Sequence, residues 1–73
     1  MKVKDLIAHL QTFDPELEVM IDGYEGGIEN ITEVEMVQVA LDVNQSWYYG
    51  KHEMVYKDDQ HPGHEIVNAV RID

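Results

Sequence analysis

Apolar residues at the start of the chain recur at a helical period. Val3, Leu6, Ile7 and Leu10 fall at i, i+3, i+4 and i+7, which places them on one stripe. Lys2, Lys4, Asp5, His9 and Gln11 then face water. Phe13 extends the stripe, and Asp14-Pro15 ends it, because proline disfavours the α conformation in the residue before it. The spacing predicts a helix of about three turns. In LEVMID (17–22) the period changes to two: Leu17, Val19 and Ile21 alternate with Glu18, Met20 and Asp22, as in a strand with one covered face. GYEGG follows, and its three glycines allow left-handed backbone, so a turn or flexible loop is predicted.

The longest regular run is ITEVEMVQVALDV (31–43). Val34 and Met36 share one phase, while Val37, Val39, Leu41 and Val43 share the other. A one-residue phase change predicts a β-bulge near Met36–Val37 or, as the alternative, a break into two strands. HEMVYK (52–57) can form a short strand, KDDQHPGH (57–64) reads as an exposed loop, and EIVNAVRID closes the chain as a strand. In that strand Ile66, Val70 and Ile72 share a face interrupted by Asn68. This order predicts a single α+β domain spanning 1–73. Its N-terminal helix is expected to pack on a small, three- to four-stranded, mainly antiparallel sheet.

Length sharpens this picture. A chain of 73 residues buries only roughly 60% of its unfolded surface. It has no Cys, so disulfides, thiolate chemistry and Cys-based zinc sites are excluded. Association remains as a source of buried surface, and a homo-oligomer, a homodimer in the simplest case, is expected. The longest apolar segment, MVQVAL, is far short of the ~20 residues a spanning helix needs, and no export signal is visible. A cytoplasmic protein is the expectation.

Charge bears most directly on partners. Fifteen acids oppose five bases, for a formal net charge of −10. Between Lys4 and Lys51 there is no cation, while ten acids, from Asp5 to Asp42 and including Glu33 and Glu35, fall in that interval. Such a chain repels phosphate backbones, so direct binding to nucleic acid or an anionic membrane is not expected. A basic protein partner would be steered toward it. The bland alternative is that the acids merely keep a small domain soluble.

The aromatic residues concentrate in NQSWYYGKHE (44–53), with Trp47, Tyr48 and Tyr49 beside Lys51. Three readings stand. Trp47 and Tyr49 fold onto the sheet as core; or they form a protein-binding or oligomer surface; or they make a shelf for a nucleotide at an oligomer interface, with Lys51, His52 or Arg71 meeting its phosphate. His52, His61 and His64, near Glu53, Asp58, Asp59 and Glu65, are candidate metal ligands, although helical or Cys-based ligand spacing is absent. Ser46 is the only serine, and nothing in the sequence places it against His52 and Asp42, so no catalytic residue is assigned and no cofactor is implied.

VKDLIAHLQTFDPELEVMIDGYEGG resembles the opening of many small, uncharacterised bacteriophage and prophage proteins, and WYYGKHE is similar to a segment found in them. The resemblance implies an accessory protein working inside a bacterial host and brings no established activity. Together these readings lead to the expectation of a non-enzymatic protein that acts by binding another protein. Glu33, Glu35 and their acidic neighbours would supply attraction, and Trp47, Tyr48, Tyr49 and Lys51 the anchor. The alternatives are a nucleotide-sequestering protein and a metal protein using His52, His61 and His64.

Overall fold

The computed structural model describes residues 1–57 and 60–73. Among these residues one helix, α1 (Val3–Leu10), is followed by five strands: β1 (Met20–Asp22), β2 (Ile28–Asn30), β3 (Val34–Ala40), β4 (Glu53–Met54) and β5 (Ile66–Ile72). The α+β class expected from the sequence is therefore present. The strands are distributed over two antiparallel sheets, one of order β1-β2 and one of order β4-β3-β5. The chain forms two compact units, residues 1–33 with Asp73 and residues 34–72.

In the first unit, α1 starts where Asp5 Oδ2 accepts the backbone N–H of Lys2 at 2.9 Å, satisfying a donor the helix cannot. At its other end Thr12 N–H and Phe13 N–H bond to the carbonyls of His9 and Leu10, a tightening that closes the helix before Asp14-Pro15. The helix is thus about two turns, shorter than expected, with Phe13 just beyond it and stacked on His9 at 5.8 Å between ring centres. No residue of α1 is buried, and Ile7, Leu10, Phe13 and Pro15 line an open concavity of about 460 Å³.

The strand expected over 17–22 narrows to its last three residues, which pair with Ile28–Asn30 in the register Met20–Asn30, Ile21–Glu29 and Asp22–Ile28. GYEGG is the connecting turn. Gly23 N–H donates to the Gly27 carbonyl at 2.9 Å, and Glu25, Gly26 and Gly27 all take positive φ (63°, 140° and 71°). A Cβ on Gly23 would run into the Gly26 carbonyl oxygen, so this position requires glycine for space.

In the second unit, β3 is the middle strand and its register with β5 runs unbroken from Val34–Ile72 to Ala40–Ile66. The bulge or break expected near Met36–Val37 is therefore absent. The phase change has another cause: both faces of this sheet carry apolar side chains. Directly opposed residues share a face. Val37, Val39, Val67, Ala69 and Met54 lie together on one face and are half-buried. Val34, Met36, Val70 and Ile72 lie together on the other and are exposed, Met36 to 74%. Ala40 is the one fully buried hydrophobic among the described residues.

Candidate functional site: the 42–52 loop

The connection from β3 to β4 is held by a small polar frame. Asp42 takes a positive φ of 55°, turning the chain out of β3, and its N–H donates to His52 Nδ1 at 2.9 Å across the loop. Asparagine at 44 closes the loop three times over. Its backbone N–H donates to the Lys51 carbonyl at 2.9 Å, and its side-chain Nδ2 donates to the Gly50 carbonyl at 2.7 Å and to Glu53 Oε1 at 2.9 Å. Inside this frame Tyr49 N–H donates to the Ser46 carbonyl at 3.2 Å, making a turn with Trp47 and Tyr48 at its centre.

The frame brings together Trp47, Tyr48, Tyr49 and Lys51, and it holds the aromatic rings in water. Trp47 is 93% exposed, and Tyr48 and Tyr49 are exposed as well. The Trp47 and Tyr48 rings meet edge to face, 5.5 Å apart at 90°. The reading in which Trp47 and Tyr49 fold onto the sheet as core is overturned, because both side chains are exposed. Asp42, Asn44, Ser46, Trp47, Tyr49 and Lys51 line an open cleft of about 360 Å³.

The other candidate residues lie elsewhere. Glu33 immediately precedes β3 and exchanges backbone hydrogen bonds with Asp73 at 2.8 and 2.9 Å. Glu35, on β3, stands across from Arg71 on β5 and meets its guanidinium at 3.5 Å, an exposed pair. Among the histidines, His52 Nδ1 accepts from Asp42 and His64 Nδ1 donates to the Leu41 carbonyl at 2.9 Å; the Nε2 of His61 is enclosed and has no hydrogen-bond partner among the described residues. Among the described residues no group of three or more His, Cys, Asp or Glu side chains is placed to hold a metal ion. Asp58 and Asp59, which the sequence offered as further ligands, lie outside the described residues.

Sequence reasoning passed over two parts of this surface. Asn44 reads in the sequence only as the first residue of an aromatic stretch, yet it forms the frame. The exposed face of Val34, Met36, Val70 and Ile72 was signalled by the second apolar phase of β3. Comparison of the chain with protein-family models, with curated proteins and with solved structures finds no match. Among the described residues no helix is long and apolar enough to cross a membrane.

Proposed function

We propose that this is a non-enzymatic accessory protein of the phage type that acts in a bacterial cytoplasm by binding another protein, with the 42–52 loop as its anchor. The observation that carries the reading is the display of Trp47, 93% exposed on a loop closed by Asn44. An indole held in water contributes nothing to folding by burial. Transferred into a partner's pocket, it offers the large contact area and low ordering cost typical of interface hot spots. Net charge selects the partner's character, since a chain at −10 attracts and steers a basic surface.

The test is a pull-down from bacterial lysate at low salt, followed by affinity measurement with the recovered protein. A basic partner is expected. Trp47→Ala should weaken its binding at least about tenfold, by loss of a hot-spot ring, with the melting temperature unchanged. Reversing Glu33 and Glu35 to Lys should slow association. Recovery of no partner sensitive to either change would end this reading.

One observation favours a second reading, a nucleotide-sequestering protein: Trp47, Tyr49 and Lys51 line the same cleft, which is the composition of a stacking shelf with a cation. Asp42 lines it too and opposes a phosphate, which makes this the weaker alternative. Melting curves against a nucleotide panel separate the two, because a specific ligand raises the transition by mass action.

A further inference from the structure

Among the described residues the three-stranded sheet ends on β5, with no strand on its outer side. Which backbone groups that edge offers follows from the ladder. Leu41 N–H donates to the Glu65 carbonyl at 2.9 Å, and Glu33 and Asp73 exchange both of their bonds. In an antiparallel pair, hydrogen-bonded and non-bonded positions alternate. Residues 65, 67, 69, 71 and 73 therefore turn their backbone groups toward β3 and its extension, and Ile66, Asn68, Val70 and Ile72 turn theirs outward. The side chains of those same four residues lie on the exposed face. Among the described residues no strand pairs with Ile66, Asn68, Val70 and Ile72 on this side, and an edge rich in β-branched residues beside the exposed Val34, Met36, Val70 and Ile72 is a template for another strand.

We propose that a second copy of this chain occupies this edge, its β5 pairing antiparallel with the first about a two-fold axis at Ala69. Only this register uses all four outward residues: Ile66 with the partner's Ile72, and Asn68 with the partner's Val70. About eight backbone hydrogen bonds then form, and the two exposed faces merge across a six-stranded sheet. Charge permits the pairing here, because β5 carries one Arg and no acid in a chain of fifteen acids.

Area supports a second copy as the occupant. The chain exposes 6682 Å². Two separate compact bodies of about half its mass each would expose about 5,600 Å², so each chain carries an excess of about 1,100 Å². A standard interface takes about 800 Å² from each partner. The units have 34 and 39 residues, and bodies below about 40 residues usually need a disulfide, a metal or association. Without cysteine, association supplies the missing burial. This proposal is independent of what the 42–52 loop binds.

Sedimentation velocity over about a hundredfold concentration range should show a dimer that dissociates on dilution. Val70→Lys, which puts a charge on the merged face at an already exposed position, should weaken association at least about tenfold. The register is tested by crosslinking. Ala69→Cys should form a disulfide-linked dimer readily on mild oxidation, because non-bonded partners across antiparallel strands have Cα atoms about 4.5 Å apart. Val67→Cys, which would face the partner's Arg71, should not. A chain monomeric at every concentration overturns the proposal. So does a dimer unmoved by Val70→Lys, or one in which the two cysteine variants crosslink alike; should Val70→Lys fail to fold, the cysteine pair decides.

Discussion

Removing the side chain of Asn44 tests whether the 42–52 loop is a built display or merely a long connection. In Asn44→Ala the backbone bond to Lys51 survives, while the bonds from Nδ2 to Gly50 and Glu53 are lost. A neutral hydrogen bond contributes about 1 kcal/mol net, and one to a charged acceptor about 1.5–3 kcal/mol. Glu53 is only half-buried, so the second value is discounted toward its lower end, for a total of about 2 kcal/mol. In a chain of this size that corresponds to a fall of roughly 8–16 °C in melting temperature. Thermal unfolding followed by circular dichroism measures it, with Gln45→Ala, a neighbouring exposed position, expected within about 0.5 kcal/mol of the parent. Fluorescence anisotropy gives a second readout, because Trp47 is the only indole and should tumble more freely when the frame opens. Asn44→Asp should be worse than Ala, since it cannot donate and sets a carboxylate against Glu53. If Asn44→Ala melts within about 2 °C of the parent with Trp47 anisotropy unchanged, the frame is not what orders the loop.

Other perturbations follow from individual positions. Gly23→Ala should destabilise the β1–β2 hairpin by about 1–3 kcal/mol, because its Cβ meets the Gly26 carbonyl, whereas Gly50→Ala, with open space around it, should lie within about 0.5 kcal/mol of the parent; comparative melting checks the pair. Glu35→Gln should cost under about 1 kcal/mol in urea unfolding, since its ion pair with Arg71 is long and exposed. Indole emission from the free protein should resemble that of tryptophan in water and be readily quenched by acrylamide, whereas a shielded, blue-shifted spectrum at low concentration would contradict the exposure of Trp47.

The elements most legible in the sequence are those whose cause is local. The stripe Val3-Leu6-Ile7-Leu10 and the stop at Asp14-Pro15 define α1 within a turn, and GYEGG announces a turn because Gly26 and Gly27 readily take the positive φ that it needs. Strand β2 was not legible: Ile28–Asn30 is three residues long and its strand character comes from pairing with β1, a non-local cause. Strand β3 was found, but its two apolar phases were assigned to a bulge. That inference assumed a sheet with one covered face. The unbroken register with β5 shows that both phases are used, one half-buried and one exposed. In the loop, residue types pointed to the right stretch, while the frame made by Asn44 depends on a side chain reaching six and nine residues ahead, which spacing alone does not reveal.

The second unit presents two surfaces of different physical character, and the difference bears on how they act together. The aromatic loop joins β3 to β4, and β4 is the edge opposite β5, so a strand added at β5 leaves the loop's connection untouched. Acids dominate the chain as a whole, whereas β5 has none between Ile66 and Ile72. Pairing two copies there doubles the net charge of the assembly and sets Glu65 opposite the partner's Asp73 at the ends of the seam. Added salt screens that repulsion and should tighten self-association. The proposed capture of a basic partner should respond in the opposite sense, since the same screening would remove the attraction that steers it. A dimer paired in the proposed way would also present two Trp47 side chains on one assembly. A partner with two suitably spaced pockets would then be held more tightly than either loop alone could hold it, by effective concentration and without any new contact.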